Sequence, residues 1–281
     1  MKTIVITGST RGIGYGLADS FLALGCAVTV SGRTQEGVDG AVATLSAKHE
    51  AGRVMGHPCD VTHYAQVQTL WDAAHAHWGR VDVWINNAGC THLQAEFWEL
   101  EPEQIKAVVD ANLLGAMYGS KVALRGMLEQ GSGSLYSMEG LGSTGRKMDG
   151  LAVYGTTKCG LRYLNESLAH EVRETPVLVG ALRPGMVVTD MLTGKKRPPG
   201  RLGTRQAHFQ HPCRPRRDGH ALAGSKGARQ RQERRLHLVD EPTQDHVALS
   251  HGALSQARFV WVGTRMDADF FVLALTMSFL S

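Results

Sequence analysis

The chain has 281 residues, 43% of them apolar and 20% charged, which is enough for one domain with a sizeable core. Its five cysteines contain no CxxC pair, which argues against a disulfide framework and favours a reduced compartment. The formal net charge is +4, but residues 195–235 hold thirteen Lys or Arg against two acidic residues, so the rest of the chain is acidic and no nucleic-acid partner is expected.

Apolar runs alternate with segments of helical periodicity as far as residue 194. Strands are predicted at Thr3–Ile6, Ala27–Ser31, Arg53–Cys59, Val81–Asn86, Ser134–Ser137 and Val177–Leu182. Helices are predicted at Ile13–Leu24, Gln35–Ala47, Tyr64–His77, Glu103–Gln130 and Tyr154–Arg173. This alternation predicts an α/β fold in which a parallel sheet is covered by helices on both faces.

The turn between the first strand and the first helix is rich in glycine. Glycine lets a backbone turn tightly and approach a pyrophosphate held at a helix N-terminus. A flexible loop is the alternative, but the position between a buried strand and a helix favours a dinucleotide site. The predicted cofactor contacts of this turn are Gly8, Ser9, Thr10, Arg11, Gly12, Ile13 and Gly14.

The end of the second strand bears on the choice of cofactor. An acidic side chain there would bind the ribose 2′-hydroxyl of NAD, but the sequence continues Ser31-Gly32-Arg33. Guanidinium groups such as those of Arg11 and Arg33 suit a phosphate through bidentate, charge-assisted hydrogen bonds. Two unrelated surface arginines are the alternative. The pattern favours NADPH over NADH.

Tyr154 and Lys158 lie four residues apart on a predicted helix. This spacing places a phenol and an ammonium on the same face, about one turn apart. A nearby positive charge favours the phenolate, so we expect Lys158 to lower the pKa of Tyr154 and prepare it as a proton donor. Taken alone, such a pair is also common on solvated helix faces.

Four motifs in order resemble the short-chain dehydrogenase/reductase family, over about residues 1–194. They are Thr7-Gly8-x3-Gly12-x-Gly14, Asn86-Asn87-Ala88-Gly89, Tyr154-x3-Lys158 and Pro184-Gly185. The resemblance implies a single Rossmann-type, doubly wound domain at residues 1–194 that oxidises alcohols or reduces carbonyls with NAD or NADP. It also implies a homodimer or homotetramer, formed through the helices that begin near Glu103 and Tyr154.

The resemblance further implies roles for individual residues. Tyr154 would protonate the carbonyl oxygen, Lys158 would lower its pKa and bind the nicotinamide ribose, and Asn112 would complete a proton relay through water. An amide that bonds a backbone carbonyl inside a helix is the alternative reading of Asn112. The other implied cofactor contacts are Asp60, Val61, Asn87, Ala88, Gly89, Pro184, Gly185, Val187 and Thr189.

The serine that orients the carbonyl in this family has no obvious equivalent. It commonly stands about thirteen positions before the tyrosine, where this chain has Leu141, and alignment on the preceding strand gives Gly140 or Glu139 instead. Ser143 is the preferred candidate and Ser137 is the second.

The surroundings of these residues resemble the chlorophyll(ide) b reductase branch of the family. The pattern Met-Asp/Glu-Gly-x-Gly-Ser occurs at residues 138–143, and Tyr-Gly-x-Thr-Lys occurs at residues 154–158. This resemblance implies reduction of the C7 formyl group of chlorophyll(ide) b by NADPH. A reductase of another aldehyde or ketone, or a non-catalytic dinucleotide-binding regulator, is the alternative.

Residues 195–281 form an atypical basic segment with little apolar periodicity where the family has its substrate lid. A shifted reading frame after Thr193 would explain this change. We predict no metal site from His208, His211 and Cys213, because the stretch is rich in Pro and Arg. The apolar run 270–280 is too short to span a bilayer, and strand one starts at once, so we expect no targeting peptide and a cytoplasmic protein, or a soluble or peripheral one in a photosynthetic compartment.

Overall fold

A computed structural model of the chain describes residues 1–50 and 52–183. The predicted segment 195–281, with His208, His211 and Cys213, lies outside these residues, as does the boundary predicted at residue 194. Among the helices of the described part, none combines the length and apolarity needed to cross a membrane.

In the part of the chain that the structure describes, six parallel strands form one sheet. They are β1 (Thr3–Ile6), β2 (Ala27–Gly32), β3 (Val54–Pro58), β4 (Val83–Asn86), β5 (Gly133–Met138) and β6 (Val177–Leu182). The spatial order is β3-β2-β1-β4-β5-β6. Successive strands are added on one side of β1 up to β3 and on its other side from β4 onward, so the order of addition reverses between β1 and β4. This is the strand order of the Rossmann fold, and the crevice at such a reversal is where open α/β sheets bind ligands. The predicted fold class is confirmed.

Within residues 1–50 and 52–183, six α-helices connect and cover the strands. They are α1 (Gly12–Ala23), α2 (Gln35–Lys48), α3 (Tyr64–Trp78), α4 (Pro102–Val109), α5 (Gly115–Gln130) and α6 (Ala152–Glu171). A short 3₁₀ turn at Phe97–Glu99 precedes α4. Local sequence fixes several helix ends: Thr34 caps α2, a capping box of Glu101 and Gln104 starts α4, and Gly79 ends α3 in the left-handed conformation.

Side chains alternate between the two faces of the sheet, and each face has its own apolar core. On one face, Ile4 and Ile6 pack with residues of α1 and α2, including Phe21 and Leu45. On the other face, Val5 packs with residues of α3 and α5. Burial on both faces explains why the strands read as continuous apolar runs.

The helix predicted at Glu103–Gln130 is interrupted by one π-helical turn at Asp110–Leu114. Helical geometry continues on both sides, so α4 and α5 follow one another without a loop. Such single π turns are often found at functional sites. Here the turn contains Asn112, which is only 1% exposed.

Candidate active site

The glycine-rich turn follows β1, contacts the end of β4 and leads into α1. Gly8 has a φ of +63°, and a Cβ at this position would lie 2.8 Å from the Cα of Ala88. A Cβ on Gly14 would lie 2.4 Å from the Nδ2 atom of Asn87. Both positions therefore require glycine, because the turn and the end of β4 are in direct contact.

Hydrogen bonds hold the turn against the end of β4. The Thr7 hydroxyl accepts hydrogen bonds from the backbone N–H groups of Asn87 (3.0 Å) and Ala88 (3.1 Å). The Asn87 side-chain amide donates to the carbonyl oxygens of Thr7 (2.9 Å) and Gly8 (3.0 Å). Asn87 and Ala88, both predicted cofactor contacts, thus fix the shape of the predicted cofactor turn.

Ser9 connects the same turn to β2. Its backbone N–H donates to the carbonyl of Ser31 at 2.8 Å. Its hydroxyl donates to the Ile6 carbonyl at 2.7 Å and accepts from the Ser31 N–H at 2.9 Å. The Ser9 side chain is fully buried, so in this structure it stabilises the turn from within.

At the N-terminus of α1, neither a capping side chain nor an acidic residue offsets the partial positive charge of the helix dipole. Arg11 stands at the N-cap position in extended conformation, makes no side-chain capping bond, and is followed by no acidic residue in the first turn. The first N–H groups of a helix lack intrahelical partners and attract anions. Gly12 and Ile13 start this helix and the turn leads into it, so the segment is chemically suited to a pyrophosphate.

The end of β2 lies against the same turn. A Cβ on Gly32 would lie 2.6 Å from the Cγ2 atom of Thr10, which shows how closely the two segments approach. Arg11 and Arg33 are both exposed. No acidic residue follows β2 before Glu36, in the first turn of α2.

Asp60 and Val61 follow β3, whose end is tied to β2 by a hydrogen bond from the Cys59 N–H to the Gly32 carbonyl. The Asp60 carboxylate accepts two hydrogen bonds from Thr62. Partial burial alone would raise the pKa of Asp60, but the bonds from Thr62 and the charges of His63 and Arg33 outweigh it, so this pKa is lowered.

Val61 packs in the core on the α3 and α5 face and is 8% exposed. Its side chain therefore lies inside the fold. Any contact that Val61 makes with an adenine would have to involve its backbone, because the side chain is enclosed.

Tyr154 and Lys158 lie on α6, next to the end of β5. The Lys158 ammonium donates to the Met138 carbonyl at 2.8 Å and lies 5.7 Å from the centre of the Tyr154 ring. Lys158 is 6% exposed. The structure therefore brings together the two residues that the sequence pattern paired.

The pKa of Tyr154 is shifted in the direction opposite to our expectation. Burial raises the pKa of this phenol. Burial also lowers the pKa of Lys158 to about 8, although Glu139 and Cys90 oppose the decrease. In this structure the ammonium bonds the Met138 carbonyl, and burial determines the direction in which the pKa of Tyr154 is shifted. The phenol remains protonated at neutral pH, which is the form that can donate a proton.

Gly140 is the residue that faces the Tyr154 hydroxyl from the strand side. A Cβ at this position would lie 2.7 Å from the hydroxyl oxygen. Ser143 follows three residues later, where its N–H donates to the Gly140 carbonyl at 3.0 Å, and it is buried. Ser137 is fully buried within β5 and its hydroxyl accepts from the side chain of Asn86 at 3.5 Å.

Asn112 is held in the π turn by the segment after β4. Its Oδ1 atom accepts from the Cys90 N–H at 2.7 Å, and its Nδ2 atom donates to the Cys90 carbonyl at 2.9 Å. Nδ2 also donates to the Thr157 hydroxyl at 3.1 Å, which connects it to α6. A Cβ on Gly89 would lie 2.9 Å from Oδ1. The amide therefore makes the backbone bond of the alternative reading and sits beside the helix of Tyr154.

One ion pair at this edge of the sheet was missed by sequence reasoning. Glu139 follows β5 and Arg183 follows β6, and the Arg183 Nε atom donates to the Glu139 carboxylate at 2.5 Å. The signal was present: an acidic and a basic residue each come directly after a buried strand. The predicted contacts Pro184, Gly185, Val187 and Thr189 lie outside the described residues.

Comparison with protein families gives one match over most of the chain. A family model described as short chain dehydrogenase matches residues 2–199. Chlorophyll(ide) b reductase NOL of Arabidopsis thaliana, a chloroplastic protein, is 40% identical over 195 residues, covering 67% of this chain and 56% of that protein. The chain spans 41–57% of the length of the rice and Arabidopsis chlorophyll(ide) b reductases that it matches.

Solved structures with a similar fold have been determined with either nicotinamide coenzyme. A short-chain dehydrogenase/reductase from Burkholderia phymatum in complex with NAD has a TM-score of 0.65 and 26% identity, covering 74% of each chain. A metagenomic short-chain oxidoreductase in complex with NADP has a TM-score of 0.60 and 27% identity, covering 66% of this chain and 83% of that one.

Proposed function

This chain belongs to the short-chain dehydrogenase family of oxidoreductases, and we propose that it reduces the C7 formyl group of chlorophyll(ide) b to hydroxymethyl, with NADPH as the coenzyme. The observation that carries the catalytic part is the position of Tyr154, whose hydroxyl and the Cε atom of Lys158 both lie next to Gly140, 2.7 Å and 3.3 Å from where its Cβ would be. The pigment as substrate is supported by the chlorophyll(ide) b reductases of rice and Arabidopsis, at 36–40% identity.

The turn at residues 7–14 fits a dinucleotide. The close contact of Gly8 and Gly14 with the end of β4 leaves no room for side chains there, and the start of α1 has no acidic residue. These features suit the backbone approach and positive helix end that a pyrophosphate requires. A bound reduced nicotinamide would supply the hydride.

Preference for NADPH is supported by charge at the end of β2. Arg11 and Arg33 are exposed, and they directly follow Thr10 and Gly32, the two residues that meet where the turn contacts the end of β2. A guanidinium group binds a phosphate dianion through charge-assisted hydrogen bonds, whereas its hydrogen bonds to a neutral ribose hydroxyl are much weaker. Glu36 lies one turn further, within the α2 N-terminus.

The chemistry proposed for the chain's own groups is proton transfer and orientation. Tyr154, protonated at neutral pH, donates its proton to the carbonyl oxygen as negative charge develops there. Lys158 holds the Met138 carbonyl at the strand end and presents a positive charge near the phenol. Asn112 would support proton return through water, and Ser143 is our candidate for the hydroxyl that orients the carbonyl.

The test uses purified protein, NADPH and chlorophyllide b. Coenzyme consumption is followed by absorbance, and the hydroxymethyl product is identified by mass spectrometry. Turnover of small aldehydes with none of the pigment would reassign the substrate. Thermal stabilisation by NADPH with no turnover of any carbonyl would indicate a dinucleotide-binding protein that is not an enzyme.

A matched pair of tyrosine variants tests the proton donor. Tyr154→Phe should lower kcat by about 10²- to 10⁴-fold, the usual contribution of a positioned general acid, while NADPH still raises the melting temperature. Tyr163→Phe is the control, because this residue lies on the same helix and is 75% exposed. Full activity in Tyr154→Phe would refute the assignment.

A further inference from the structure

The end of β5 touches both members of the Tyr154–Lys158 pair. The carbonyl of Met138 accepts the hydrogen bond from the Lys158 ammonium at 2.8 Å. Two residues later, the position of a Cβ on Gly140 would be 2.7 Å from the Tyr154 hydroxyl and 3.3 Å from the Cε atom of Lys158. The placement of both side chains thus depends on where this strand end lies.

Glu139 stands between these two contacts and ties β5 to β6. Its backbone N–H donates to the Leu182 carbonyl at 2.9 Å, one step past the last strand pair, Met138 with Leu182. Its carboxylate accepts from Arg183 at 2.5 Å. Its side chain is 1% exposed and that of Arg183 is 18% exposed, so the pair continues the strand ladder in a largely enclosed site. An ion pair that has been removed from water is lost at high cost if one partner is deleted.

Glu139 also acts on Lys158 through charge. Among the described residues, the ionisable groups that favour the charged form of Lys158 are Glu139, which directly follows the Met138 carbonyl bound by the ammonium, and Cys90, in the segment after β4. Burial favours the neutral amine, and the Glu139 carboxylate is the larger of the two influences that oppose it. Arg183 is bound to the same carboxylate, so a positive charge lies next to that of Glu139.

We propose that Glu139 is a positioning residue for the Tyr154–Lys158 pair: its carboxylate stabilises the ammonium form of Lys158, and its ion pair with Arg183 fixes the strand end against which both side chains rest. This role deepens the reductase function proposed above and rests on it. Because the side chain is enclosed, Glu139 acts through its neighbours and needs no contact with substrate.

The first test measures the protonation of Lys158 directly and does not depend on turnover. Lysine is labelled with carbon-13 at Cε, and the Lys158 resonance is identified by its loss in Lys158→Met. The wild-type midpoint is expected near pH 8. Glu139→Gln should lower it by about one pH unit or more, whereas Glu139→Asp, which keeps the charge, should leave it near the wild-type value.

The matched control removes an equal charge from α6, the helix that carries Lys158. Glu166 is bound to Arg162 at 2.7 Å on the exposed side of α6. Glu166→Gln should leave the Lys158 midpoint unchanged. A Glu139→Gln midpoint equal to that of the wild type would overturn the proposal.

The second test uses the pH dependence of kcat. With Lys158 required as an ammonium, activity falls as pH rises through its titration, and Glu139→Gln should move this alkaline limb to lower pH together with the NMR midpoint. An equal loss of activity at every pH would show a merely structural role and contradict the proposal. If the wild type turns over no carbonyl, the proposed function fails, but the NMR titration still decides the role of Glu139.

A double variant covers the case in which Glu139→Gln does not fold. Glu139→Gln combined with Arg183→Gln removes the carboxylate without leaving an enclosed guanidinium unpaired, and neutral replacement of a buried ion pair is often tolerated. Its reference is Arg183→Gln alone, from which it differs only by the carboxylate, and the Lys158 midpoint should be lower in the double variant than in this reference. Equal midpoints in the two would again refute the proposal.

Discussion

Gly140 leaves the hydroxyl of Tyr154 facing bare backbone: a Cβ at residue 140 would lie 2.7 Å from the hydroxyl oxygen, closer than side-chain carbons approach. The same point is 3.3 Å from the Cε atom of Lys158. Any side chain at residue 140 must therefore displace the phenol, the lysine or the strand end.

Gly140→Ala should lower kcat by about ten- to hundredfold, because a small displacement of a proton donor has effects of this size. The affinity for NADPH should change little. Steady-state kinetics and a coenzyme titration measure the two quantities. Gly160→Ala, on the helix that carries Tyr154, is the control, since its Cβ would meet Leu113 at an ordinary 3.4 Å. Equal kcat in Gly140→Ala and the wild type would show that the Tyr154 hydroxyl has another way to move.

Gly14→Ala and Gly16→Ala form a matched pair within α1. A Cβ on Gly14 meets the Asn87 amide and the Gly8 carbonyl, so this change should destabilise the protein by about 1–3 kcal/mol and weaken NADPH binding. A Cβ on Gly16 meets no atom within 4 Å, so alanine there should stabilise the helix by up to about 1 kcal/mol. Urea unfolding tests both, and the reverse order of stabilities would contradict the prediction.

Arg33→Ala should raise the dissociation constant for NADPH by about ten- to hundredfold and leave that for NADH nearly unchanged. The loss corresponds to one charge-assisted hydrogen-bonding group on the 2′-phosphate, about 1.5–3 kcal/mol. Arg125→Ala, at an exposed side chain on α5, serves as the control. Calorimetric titration with each coenzyme measures the effect, and an equal loss for both would show that Arg33 does not read the 2′-phosphate.

Lys158→Met should stabilise the fold at neutral pH even though it impairs catalysis. The folded-state pKa is about 8 against an ordinary 10.5, so the folded protein holds the ammonium less well than the unfolded chain does. Stability from this residue therefore decreases as pH falls from about 10.5 to about 8 and stays low below that. At about pH 7 methionine should add at most about 3 kcal/mol, less the lost bond to Met138.

Urea unfolding of Lys158→Met and the wild type at several pH values between about 7 and 10.5 measures this effect. The advantage of methionine should shrink toward the alkaline end of the range. Lys147→Met, at an exposed lysine, should show no such trend. A difference from the wild type that is constant with pH would mean that Lys158 is not destabilised by burial.

Much of the fold could be predicted because its strands are buried on both sides. Thr3–Ile6 and Val177–Leu182 have the predicted bounds, and the other strands differ by one or two residues at their ends. Strand ends depend on pairing between neighbours, which local sequence does not specify. The Thr7–Gly14 turn and the Tyr154–Lys158 pair were recognisable because their chemistry requires fixed spacing.

Other features depend on contacts between distant parts of the chain. The π turn at Asp110–Leu114 forms where Asn112 bonds the backbone of Cys90. This contact is with a distant segment, so the local sequence pattern does not indicate it. The raised pKa of Tyr154 likewise results from enclosure by the strand end, which residue spacing on α6 cannot reveal.

The π turn also decides where this helix can lose a residue. A π turn closes over one residue more than an α turn, with i→i+5 in place of i→i+4 hydrogen bonds. Deleting one residue within 110–114 would therefore let the segment close as regular α-helix while the residues after it keep their angular positions, and Met127 would stay buried. The same deletion within 115–126 would rotate Met127 by about 100° around the helix axis, toward solvent. A shortening at the π turn thus spares the second half of the helix and costs the contact between Asn112 and Cys90.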